Sequence, residues 1–248
     1  MPLNLRSTLN KTGYLGWYVA LLFFSYLMLL ITLQYIPISR DAAFLVTKQD
    51  VVGHLYYRIA FFAHVYTGMF VLLTGMLQFP AYIRKHFPRL HRWSGRVYAY
   101  LIILVTGPAG FVMGVYGNGG WIAQLAFCIL AVLWIFFTWK AVALATQHKF
   151  AAHKQWMYRS YALTLSAISL RAWRWGLVAL FQPRPMDIYR VVAWLGWGGN
   201  LLVAELIIFL VLRKGMQKRN RTEARSPWPL PRRGYLFVEK QTKNNIAP

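Results

Sequence analysis

Apolar residues run in six long blocks separated by short polar connections, at 14–36, 58–79, 97–115, 121–146, 157–180 and 189–212. A helix needs about 20 apolar residues to cross some 30 Å of hydrocarbon, so each block is long enough to span a bilayer. The connections carry turn chemistry, as at Pro80, Pro88 and Tyr116-Gly117-Asn118-Gly119-Gly120. The pattern predicts an all-α, polytopic bundle of about six transmembrane helices over residues 1–212. From Arg213 to Pro248 the chain turns polar, basic and Pro-containing, which predicts a cytoplasmic tail with little fixed structure.

Composition removes the soluble alternatives. Hydrophobic residues make up 58% of the 248 and charged residues only 14%, against about 25% charged in soluble domains. The net charge of +22 does not point to nucleic acid, because the apolar blocks leave no soluble fold to present a basic face. It fits cytoplasmic loops that meet anionic lipid. With the N-terminus inside, the inner segments hold 20 of the 28 Lys and Arg, from Arg6 and Lys11 through Arg84, Lys85 and Lys149 to the tail, and the outer loops hold five. This asymmetry predicts that both termini are cytoplasmic. The one cysteine, Cys128, excludes an intrachain disulfide framework. The basic N-terminus ahead of block 14–36 is like a signal sequence, but the block is too long for a cleaved segment and reads as a first helix.

Ionisable residues at membrane depth are the candidates for function, because lipid makes them costly. His91 and His153 open the third and fifth blocks, which run in the same direction, so both imidazoles are expected at one depth on the cytoplasmic side. Two facing imidazoles suit axial ligation of haem b, with Arg96 and Arg159 placed to pair with its propionates or with lipid phosphate. The competing reading is that these histidines meet headgroups or water. His64 lies roughly 9 Å inside the outer boundary of its block, with Gly68 and Gly75 beyond it as a surface for a backbone or a flat cofactor. The fourth block has no histidine to pair with it, and Met113 is the substitute ligand within reach. A histidine bonded within the bundle is the competing reading. Arg171 and Arg174 share one face of the fifth helix and suit an anionic group from outside the chain, although Arg174 can also reach the surface between Trp173 and Trp175.

A weak internal repeat joins two of these groups. His91 is followed by Trp93, Arg96 and Tyr98, and His153 by Trp156, Arg159 and Tyr161. No phosphate-binding glycine loop, nucleophile elbow or His-Glu metalloprotease pattern is present, so no catalytic residue is assigned.

The segments His64-Val-Tyr-Thr-Gly68, Leu90-His91-Arg92-Trp-Ser-Gly95-Arg96-Val-Tyr98, His153-Lys-Gln-Trp156-Met157-Tyr-Arg159-Ser-Tyr161-Ala-Leu and Leu170-Arg171 resemble a family of bacterial membrane proteins known as domain of unknown function 2306. The resemblance implies a bacterial inner-membrane location and brings no activity with it. A looser likeness is to transmembrane b-type cytochromes. The leading expectation is a haem-b electron-transfer protein with a quinone or other redox partner. The alternative is a transporter or membrane assembly factor that binds an anionic lipid or solute.

Overall fold

The computed structural model describes residues 5–182 and 184–225. Among them no strand occurs. The helices are α1 (Leu5–Leu33), α2 (Leu55–Met76), α3 (Ala81–His86), α4 (Pro88–Tyr100), α5 (Gly107–Val115), α6 (Trp121–Thr146), α7 (Phe150–Thr164), α8 (Ser166–Phe181) and α9 (Pro185–Arg225). The chain divides into two units, Met1–Ala204 and Glu205–Pro248. The first holds the bundle. In the second, the described residues continue α9 as far as Arg225. The helix thus covers the start of the segment expected to be an unstructured tail, and 226–248 lie outside the described residues.

Among the described residues, five helices are long and apolar enough to cross a membrane: Leu15–Leu33, Leu55–Met76, Pro88–Val115, Trp121–Thr146 and Met186–Leu210. The remaining expected span, 157–180, is shared between α7 and α8, which meet at Leu165. Neither half alone reaches the length, and this stretch also carries Arg159, Arg171 and Arg174. The bundle has an apolar core threaded by buried hydroxyls, and an apolar exterior. Ser94, Thr106, Thr138 and Ser160 are fully buried, whereas Leu104, Leu180, Phe181 and Leu202 are exposed. A surface of this kind is at equilibrium against lipid and not against water.

The third span is a single run, α4 to α5, joined by a π-helical segment, Leu101–Thr106. Its cause lies next to it. Pro108 has no N–H to give to the preceding turn, and Gly107 donates instead to Ile102, five residues back. A widened turn of this kind leaves carbonyls free for partners from other helices.

Residues 37–54, expected only as an outer loop, are folded. A 3-10 turn, Ala43–Lys48, sits on a cluster of Tyr35, Leu45, Val51, Val52, Tyr57 and Phe61. The Tyr66 hydroxyl donates to the Tyr35 carbonyl at 2.7 Å, and the Phe44 N–H donates to the Tyr35 hydroxyl at 3.3 Å. Lys48 is buried and donates its ammonium to the Tyr116 carbonyl. Met113 packs against this cluster.

Candidate functional site

The α4, α6 and α7 helices meet around a chain of buried hydroxyls. Tyr98 on α4 bonds Ser160 and Thr164 on α7, both at 2.8 Å. Ser160 also bonds Thr138 on α6 at 2.7 Å, and the Trp134 indole N–H donates to Thr164 at 3.1 Å. Thr138 and Thr164 are further tied to the carbonyls one turn back, those of Trp134 and Ser160. Every polar group in this network has a partner, which is what burial in a low-dielectric core demands.

The network fixes where the two inner histidines stand. His91 precedes Tyr98 by two turns of α4, and His153 precedes Ser160 by two turns of α7. Two turns return a side chain to within about 20° of the same helix face. Tyr98 and Ser160 bond each other, so His91 and His153 lie on the corresponding faces of α4 and α7, about 10 Å nearer the helix starts. Consistent with this, His91 lies within electrostatic range of His153, Arg84 and Arg92.

The two rings are held differently. His153 Nδ1 sits 2.8 Å from the Ala141 carbonyl on α6. A carbonyl only accepts, so Nδ1 carries the hydrogen and Nε2 of the neutral ring presents a lone pair. His91 Nδ1 is buried and has no partner among the described residues. An oriented Nε2 on one ring and an orphaned nitrogen on the other, within electrostatic range, fit a group that asks one neutral nitrogen of each ring. His86 is not part of this pair: its Nδ1 bonds the Tyr82 carbonyl within α3.

The other candidates fall elsewhere. Arg96 is exposed and lies about 140° around α4 from His91. Arg159 stacks on Trp156, with its guanidinium 4.8 Å from the ring centre. Gly75 is filled by aromatic side chains: a Cβ there would stand 2.5 Å from the Tyr161 ring and 2.7 Å from the Tyr98 ring. Arg171 donates to the Ala167 carbonyl at 2.7 Å, and Arg174 lies over the Tyr189 ring at 5.3 Å instead of between the neighbouring tryptophans. His64 sits on α2 with Nδ1 2.9 Å from the Thr106 carbonyl, inside the π-helical segment.

Sequence reading missed Tyr98, Ser160, Thr138 and Thr164 as the elements that set the geometry. A signal was present. Thr138 lies one turn from Trp134 on a largely apolar helix, and the Tyr98–Ser160 interval of 62 equals that between the two histidines. It also missed Gln78, buried just beyond the C-terminal end of α2, which donates to the Ser94 hydroxyl at 2.7 Å.

The model of a family described as predicted membrane protein (DUF2306) matches residues 61–208. The match takes in α4, α6, α7 and α8 and every residue of the hydroxyl network. No curated protein and no solved structure matches the chain.

Proposed function

The chain belongs to the DUF2306 family of predicted membrane proteins, and from its paired histidines we propose that it is a haem-b-binding electron-transfer protein of the bacterial inner membrane, with His91 and His153 as axial ligands and both termini cytoplasmic. The observation that supports this reading is the Tyr98–Ser160 bond at 2.8 Å, which sets the two histidine-bearing faces opposite each other. The group supplies a one-electron carrier when bound. The protein's part is to hold the ligands. The Ala141 carbonyl takes the Nδ1 hydrogen of His153 and thereby fixes its tautomer and ring plane. The hydroxyl network ties α4 to α7 through Tyr98, Ser160 and Thr164. Arg96, turned about 140° from His91 on an exposed face, and Arg159, stacked on Trp156, are cations near the same end and are assigned to headgroup phosphate, with the propionates as the alternative partner.

The test is a visible spectrum of the purified protein, oxidised and then dithionite-reduced. The expected result is a sharp reduced α band at close to one haem per chain, lost in His91→Ala and in His153→Ala and kept in His86→Ala. Colourless protein from haem-replete cells would sink the proposal.

A second reading, an anionic lipid or solute held by a transporter or assembly factor, draws on α8. Arg171 is half-buried, and its bond is to a backbone carbonyl of its own helix and not to an acid. Loss of a co-purifying anionic lipid in Arg171→Ala, with the spectrum unchanged, would favour that reading.

A further inference from the structure

His64 carries an unused acceptor in the middle of the bundle. The Thr106 carbonyl, 2.9 Å from Nδ1, has no proton to give, so Nδ1 bears the hydrogen and Nε2 of the neutral ring is bare. Among the described residues nothing bonds Nε2. The hydroxyl and indole donors around it are committed. The Thr67 and Thr106 hydroxyls bond each other at 2.7 Å, and the Trp134 N–H is given to Thr164. The ring itself is clamped. A Cβ at Gly110 would stand 3.0 Å from its Cε1 and Nδ1, so only glycine lets α5 lie against this edge, and Trp134 meets it edge-on at 6.5 Å. Open space lies next to it. Gly68 follows His64 by one turn on the same face of α2. It is half-buried, yet a Cβ there would meet nothing within 4 Å.

We propose that this crevice binds the hydroxylated aromatic ring of a lipid-soluble quinol, its O–H donating to His64 Nε2 and its ring lying over Gly68. Four features select that chemistry. The site is at membrane depth, so the ligand arrives through lipid. The free group is an acceptor, so the ligand brings a donor. The open floor is a glycine, so a flat ring fits where a branched chain gains nothing. Arg171 stands within electrostatic range of His64, and a cation nearby favours an electron-rich oxygen over a metal ion. The crevice shares no residue with the His91–His153 pair and stands whether or not haem is bound there.

The test is binding of decylubiquinol, kept reduced, to the full chain in nanodiscs, measured by calorimetry against empty nanodiscs. Saturable binding near one per chain is expected. His64→Leu and Gly68→Leu should each weaken it at least tenfold. His64→Gln, which keeps an acceptor at the distal position, should stay within about threefold, and His153→Ala should not change it. Gly68→Leu leaves the His64–Thr106 bond in place, so it tests the crevice even if His64→Leu fails to fold. Binding no greater than partition into empty nanodiscs, or unaltered by Gly68→Leu, would overturn the proposal. So would loss of a haem band in His64→Leu, which would make His64 an iron ligand.

Discussion

The Tyr98 hydroxyl lies 2.8 Å from the Ser160 hydroxyl, joining α4 to α7 at an interval of 62 residues, the interval that also separates His91 from His153. His91 and His153 each stand two turns before a member of that pair, on the same helix faces. The hydroxyl pair thus acts as the gauge that sets the histidine pair.

Removing that gauge should cost both stability and alignment. Tyr98→Phe deletes one hydroxyl and leaves Ser160 and Thr164 short of a partner, a loss of about 1–3 kcal/mol for a buried group. In detergent this should appear as a melting temperature lower by several degrees, since each kcal/mol moves a chain of this size by about 2–4 °C. If haem is bound, its reduced band should also broaden or shift. An unchanged melt would mean that the network carries no net stabilisation.

Two glycines one heptad apart on α2 should behave oppositely. Gly75→Ala places a methyl 2.5 Å from the Tyr161 ring and 2.7 Å from the Tyr98 ring, both of them anchored by hydroxyl bonds. We expect misassembly or a destabilisation of at least about 1–3 kcal/mol, as for overpacked cores. Gly68→Ala meets nothing within 4 Å and should fold as well as wild type. Size-exclusion profiles and melts of the two variants side by side decide the matter.

Lys48 predicts a pH dependence for the folded outer segment. Burial pushes its ammonium below the usual lysine pKa of 10.5, and Asp50 offsets only part of this. The unfolded segment therefore holds its proton to higher pH than the folded one. Across the window between the depressed value and 10.5, the unfolded form binds more protons, so stability must rise as pH rises. The melting temperature of wild type should climb relative to Lys48→Met through that window. A constant or shrinking difference would contradict the burial of the charge.

Orientation is open to a labelling test. On a Cys128→Ser background, a cysteine at Arg184 should react with an impermeant maleimide added outside intact cells. One at Lys85 should react only after permeabilisation. Both positions are exposed. The reverse pattern would invert the topology inferred from the Lys and Arg counts.

The membrane-spanning helical character of the chain follows from the sequence alone, because block length and apolarity are sufficient for it and need no knowledge of neighbours. The same holds for the candidates: an imidazole such as His64 or a guanidinium such as Arg171 stands out against lipid wherever its helix is rotated. Rotation itself is not encoded that way. A helix facing lipid on one side and other helices on the other is apolar on both, as α6 is, so only packing decides which face turns inward. That is why Tyr98, Ser160 and Thr138 converge without announcing it, why Gly75 is filled while Gly68 stays open, and why the bare Nε2 of His64 becomes visible only once the Thr106 carbonyl is found at 2.9 Å from its Nδ1. The division of the fifth span at Leu165 and the folded segment around Lys48 belong to the same class. Each depends on contacts between residues far apart in the chain, which no local pattern reports.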